Sequence, residues 1–184
     1  MQKNVLNNKI FSYNLEFHIN FILNILRCDI MDNKTGILLL SHGSKLIDGA
    51  QVINAYKDMY IKKYPEAIVE VGYMEIRQPD IPAAFENLKV RADLDKVIVV
   101  PVFIANGVHT KRDIPKILGL DARIDEEKIS SNHDHNHEHH HGHGHHHHHE
   151  IVSVDFDGEI ILTEPLGVDE RILGIIEDRI NDAV

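Results

Sequence analysis

Tryptophan is absent and cysteine occurs once, at Cys28, in a chain of 184 residues. A single thiol excludes an internal disulfide, a cysteine-based zinc knuckle and a protein-held iron–sulfur cluster, and it fits a reducing cytoplasm. Positive charge is scarce as well: 19 Lys and Arg against 29 Asp and Glu leave a net charge of −10. The basic surface that nucleic acid demands is therefore missing, and any anionic ligand has to be held by a few local donors. Long apolar runs are also lacking. Phe11 to Ile30 is rich in Phe, Ile and Leu, yet Asn14, Glu16, His18, Asn20, Asn24 and Arg27 interrupt it well short of the ~18 residues a spanning helix needs, so no membrane anchor or signal peptide is expected.

What is abundant is histidine, and it is concentrated. Twelve of the 15 histidines fall between His133 and His149. Such a segment has no apolar surface to bury and must stay solvated, so the folding unit is shorter than the chain. The length suits one domain. Residues 1–33 read as an N-terminal extension, with Met31 as an alternative start, and residues 34–184 as a single domain that carries a His-rich insertion over 121–150.

Within 34–184 strand and helix patterns alternate. The continuous apolar run 36–41 predicts a buried strand, and Ala50, Val52, Ile53, Tyr56, Met59 and Tyr60 recur at helical spacing before Pro65. A second strand is expected over 68–75. A helix over 81–92 follows, with Asp80 as N-cap and Pro82 in the first turn. The third strand is predicted over 96–104, the fourth over 159–165, with a short helix at 110–118 and a closing helix at 168–184. Right-handed crossovers then give a flavodoxin-like α/β sandwich with a four-stranded parallel sheet. Periodicity does not fix the strand order, and the common doubly wound order 2-1-3-4 is the expected one.

In such a sheet, ligands bind at the carboxyl ends of the central strands. His42 follows the first strand and His109 stands shortly after the third, so two of the three histidines outside the tract converge on one crevice. Neutral imidazole binds first-row divalent ions and accepts a proton near neutral pH. Two imidazoles leave a metal with open positions, as a transfer site requires. Gly43 and Gly107 flank the pair, where glycine permits tight turns and close approach to a flat ligand. Lys45, Arg77, Lys111 and Arg112 share the same sheet edge and are expected to hold a polycarboxylate.

The segments LLLSHGSK (38–45), VGYMEIRQPDIPAA (71–84), VIVVPVFIANGVHTKRDIPKILGL (97–120) and TEPLGVDERI (163–172), with the internal His-rich tract, resemble the small single-domain CbiX-type sirohydrochlorin chelatases of archaea. The resemblance spans essentially 34–184 and none of 1–30. It implies a homodimer that inserts Co²⁺, and also Ni²⁺, into sirohydrochlorin, with the metal as substrate and no tightly bound cofactor. The product would feed cobalamin synthesis, the nickel tetrapyrrole of methanogenesis, or both. By position His42 resembles the proton acceptor and a metal ligand, and His109 the second ligand. Ile104, Ala105, Asn106, Gly107, Val108 and His109 resemble the substrate-binding loop. Gln78 stands where a substrate-contacting glutamate is expected, and Asn106 where relatives often carry histidine. Both keep hydrogen bonding but lose a base or ligand, which throws proton removal onto His42. Glu75, at the end of the second strand, is an auxiliary acid–base candidate, although a capping or ion-pair role suits it equally.

The tract itself should bind several cations with little geometric selectivity. A solvated loop holds no fixed geometry, so storage or local buffering of nickel or cobalt is expected of it rather than catalysis. Two other functions remain open from sequence: a non-enzymatic metal store or metallochaperone, in which the sheet is only a scaffold, and a sirohydrochlorin ferrochelatase.

Overall fold

The run from Ile37 to Leu40 is apolar at every position, as a strand covered on both faces must be. β1 (Thr35–Ser41) accordingly lies inside the sheet, between β2 (Ile68–Tyr73) and β3 (Lys96–Pro101), with β4 (Glu159–Leu162) outermost beside β3. All three pairings are parallel, in the order β2-β1-β3-β4. This is the expected flavodoxin-like α/β arrangement. The computed structural model describes residues 34–124 and 153–184; the N-terminal extension and the His-rich tract lie outside the described residues.

Alternation along β1 divides the core in two. Leu38 and Leu40 join Val97, Val99 and Leu162 under α2 (Ile81–Arg91), which buries Ile81, Ala84, Phe85 and Leu88. The Asp80 carboxylate caps α2 by accepting from Ala83 N–H at 2.9 Å, with Pro82 in the first turn, where a missing N–H costs nothing. Ile37 and Leu39 face the other way and pack with Val69, Val71 and Tyr73 against Ala50 and Ile53 of α1 (Ile47–Lys63).

That second layer is thinner. The closing helix α4 (Glu170–Asn181) buries none of its residues, and Leu173, Ile175, Ile176 and Ile180 are each 51–59% exposed. Between α1 and the start of α4 runs an apolar groove of about 730 Å³ over Ile37, Leu39, Ile98 and Val100. Among the described residues no helix is long and apolar enough to cross a membrane.

Three strands end earlier than their apolar patterns suggest. β2 stops at Tyr73 instead of Glu75, β3 at Pro101 instead of Ile104, and β4 at Leu162 instead of Pro165. Beyond the ends of β3 and β4 the chains pair as loops: Phe103 and Ile104 carbonyls accept from Leu166 N–H (2.9 Å) and Gly167 N–H (3.0 Å). The apolar residues beyond Pro101 therefore build the floor of a loop pair, not a longer strand.

Candidate metal centre at the carboxyl edge of the sheet

The segments that follow β1 and β2 stay side by side past the sheet. Met74 N–H donates to Ser41 C=O and Glu75 N–H to His42 C=O, both at 3.0 Å. Gly43 makes this approach possible: its φ is +93°, and a Cβ there would lie 2.0 Å from the Glu75 carbonyl oxygen. No other residue fits that position without moving the backbone. Glu75 lies two residues beyond β2, not within it, and its place beside His42 is set by main-chain bonds.

His109 arrives from the third strand. The loop 102–108 leads into a π-helical turn, His109–Asp113, continued by the short helix α3 (Ile114–Ile117). The wide turn has a local cause. Pro115 has no N–H to give Lys111 C=O, which accepts instead from Arg123 N–H at 2.7 Å, while Ile114 N–H reaches back to His109 C=O. The result sets the His109 ring edge-on to His42, with centroids 5.2 Å apart and planes at 78°.

His42, Glu75 and His109 thereby present one ligand atom each within 4.8 Å of one another. Ligands about 2.1 Å from a shared ion sit roughly 3–4 Å apart, so small side-chain rotations close the set. Two imidazoles and one carboxylate suit borderline first-row cations and leave open positions for an incoming ligand. His42 and Glu75 are exposed and His109 is half-buried, so the cluster opens outward. His109 Nδ1 lies 2.8 Å from Asp113 Oδ2, and Arg112 Nε holds the other carboxylate oxygen at 2.7 Å. Burial works against the Asp113 carboxylate, but the bonds from Arg112 and His109 outweigh it and keep the carboxyl below its ordinary value.

The loop Ile104–Val108 is exposed. Asn106 donates to Glu164 at 2.8 Å and accepts from Thr110 Oγ1 at 3.1 Å, and Thr110 Oγ1 in turn accepts from Gly107 N–H at 2.8 Å. Glu164, just past β4, also takes Lys111 (3.3 Å) and Arg123 (3.3 Å). The hydrogen bond from Asn106, and next that from Lys111, hold its carboxyl below the ordinary range. Asn106 thus latches the loop to β4. Gly107, by contrast, has no heavy atom within 4 Å of an added Cβ. Its own surroundings do not demand glycine, and the space beside it opens onto solvent.

Three of the four cations expected to hold a polycarboxylate are already engaged. Arg77 donates to the carbonyls of Ser44 and Lys45, Lys111 pairs with Glu164, and Arg112 with Asp113. Lys45 is exposed, with no ion pair among the described residues. Gln78 bonds locally, accepting from Asp80 N–H at 3.0 Å at the start of α2. Sequence reasoning missed Asp113 and Glu164. The first was readable as His-x₃-Asp at helical spacing; the second depends on a contact 58 residues away and left no local signal.

Residues 36–183 match the CbiX family model. The chain is 46% identical over 151 residues to a sirohydrochlorin cobaltochelatase of Methanothermobacter thermautotrophicus, covering 82% of this chain and 94% of that one. A sirohydrochlorin cobaltochelatase of Methanopyrus kandleri is 41% identical over 148 residues, with 80% and 96% covered. One from Methanocaldococcus jannaschii is 44% identical over 145 residues, with 78% and 95% covered. Among solved structures, the sirohydrochlorin chelatase SirB of Bacillus subtilis subspecies spizizenii, in complex with cobalt, superposes with a TM-score of 0.55 at 21% identity. That likeness concerns the fold; it covers 81% of this chain and 50% of the SirB chain, so the present chain spans about half its length. On the match over residues 36–183 and the identity to these three relatives along nearly their whole length, the chain belongs to the CbiX family.

Proposed function

We propose that the protein inserts a divalent metal into sirohydrochlorin, with Co²⁺ and also Ni²⁺ as metal substrates. The observation that carries this reading is the His42–Glu75–His109 cluster, open to solvent at the carboxyl edge of the sheet, in a chain whose relatives are named sirohydrochlorin cobaltochelatases. Insertion exchanges two pyrrole protons for one M²⁺, so the site must deliver a cation and accept protons. His42 and His109 hold the ion, and Glu75 completes the set. As the ion passes into the ring, His42 is released and takes one pyrrole proton; Glu75 is placed to take the other. The loop Ile104–His109 bounds the macrocycle on one side, with Asn106 fixing its position through Glu164, while Gln78 is assigned to the substrate's rim.

A flat macrocycle needs walls on both sides to exclude water, and one domain supplies one wall. A second copy supplies the other, making a homodimer. The half-length relation to SirB and the exposed apolar stripe of α4 support this arrangement. The His-rich tract buffers nickel or cobalt, and the product enters cobalamin synthesis or a nickel tetrapyrrole pathway in the cytoplasm.

A metal store is the second reading, favoured by the twelve clustered histidines. Incubation with sirohydrochlorin and Co²⁺ separates the two: a chelatase converts the free-base absorption spectrum to the metallated one catalytically, while a store leaves it at the uncatalysed rate. Replacing Co²⁺ by Fe²⁺ in the same assay tests the ferrochelatase alternative.

A further inference from the structure

Asp113 takes no part in the steps above, yet it is the most closely held carboxylate near the cluster. Its side chain is 24% exposed. One oxygen lies 2.8 Å from His109 Nδ1 and the other 2.7 Å from Arg112 Nε. An ionised carboxylate only accepts, so the contact with His109 places a proton on Nδ1 and leaves the lone pair on Nε2. A free neutral imidazole favours the opposite form, with the proton on Nε2, and would offer the wrong nitrogen.

The backbone makes the acceptor rigid. The π-helical turn is closed by Ile114 N–H on the His109 carbonyl and tied at its middle by Arg123 N–H on the Lys111 carbonyl at 2.7 Å. Arg112 then holds the carboxylate through the oxygen that the imidazole does not use. Among the described residues His42 has no comparable partner: its Nδ1 lies 3.3 Å from the carbonyl of its own neighbour Gly43. The two histidines are therefore unequal, one locked and one loosely held.

We propose that Asp113 is a positioning residue that fixes the Nδ1–H form of His109 and aims its Nε2 toward His42 and Glu75. This rests on the reading of His109 as a metal ligand. Locking one imidazole keeps a donor in place for each incoming ion, and the looser one is free to turn from ligand to proton acceptor. Partners of this kind are worth about 10- to 100-fold in metal affinity or activity.

The test has two readouts on the full-length protein. In long-range ¹H–¹⁵N spectra of the metal-free protein at pH 8, with His109 signals identified by their loss in His109→Gln, Nδ1 should appear protonated and Nε2 unprotonated. Asp113→Ala and Asp113→Asn should both move His109 away from that form. In the insertion assay, both variants should raise the KM for Co²⁺ about 10- to 100-fold and leave the KM for sirohydrochlorin unchanged. His109 keeping its Nδ1–H form in both variants would overturn the proposal, as would an altered tautomer with an unchanged KM for Co²⁺. Failure of the chelatase reading looks different: the wild-type protein itself would insert no metal, whatever the spectra show.

Discussion

Gly43→Ala tests whether the contact between the first two strand ends builds the site. The new Cβ would lie 2.0 Å from the Glu75 carbonyl oxygen, and contacts below 3.0 Å do not survive, so the two segments must part by about 1 Å. The φ of +93° adds a left-handed strain of about 1–2 kcal/mol for an L-residue. Separation would lengthen the bond from Glu75 N–H to His42 C=O, now 3.0 Å, and with it the spacing of the two ligands. A misplacement of about 1 Å costs on the order of 100-fold in rate. Urea unfolding should show a midpoint shift worth about 1–2 kcal/mol at unchanged m-value, and the insertion assay a loss of about 100-fold. Gly107→Ala is the control for stability, since its Cβ meets nothing within 4 Å; it should unfold within about 0.5 kcal/mol of wild type. A Gly43→Ala protein as stable and as active as wild type would refute the reasoning.

Glu75→Gln keeps the shape of the side chain and removes its charge; the insertion rate at saturating Co²⁺ should fall at least ~10-fold, and an unchanged rate would remove Glu75 from proton transfer. The Glu164 latch predicts a pH effect with a definite sign. Its carboxyl is held below the ordinary value by Asn106 first and Lys111 next, so its contribution is present above the unfolded value and is lost as pH falls through the lower folded one. Glu164→Gln should therefore be less stable than wild type at pH 7, with the gap closing below about pH 4; a gap independent of pH would mean the carboxylate charge is not what holds the loop. Deleting Asn132 to Glu150 should lower the number of Co²⁺ ions bound per chain and leave turnover at saturating metal nearly unchanged, as equilibrium dialysis and the insertion assay together would show.

The layered fold was legible because each central strand carries a run apolar on both faces and the three longer helices a period. The carboxyl-edge rule then brought His42 and His109 to one crevice from positions 67 residues apart in the chain. Where strands end was not legible: Phe103 and Ile104 are as apolar as strand residues, and only the pairing of their carbonyls with Leu166 and Gly167 shows them to be loop. The roles of the cations were also hidden. Arg77, Lys111 and Arg112 read as a substrate clamp because charge alone does not reveal a partner, and Glu164 and the Ser44 carbonyl come from distant segments. Glu75 was readable as a candidate by type; its place beside His42 needed the positive φ of Gly43, which a sequence pattern does not encode.

The central claim is that His42 and His109 deliver the metal to the macrocycle and that the tract, which only stores it, does not. The most direct measurement is the initial rate of Co²⁺ insertion into sirohydrochlorin by His42→Ala and His109→Ala proteins that retain the whole tract, at saturating metal and with the far-ultraviolet circular dichroism of each recorded. The account predicts native dichroism in both and rates at the uncatalysed level. Retained insertion by both variants would contradict it and move the chemistry to other residues.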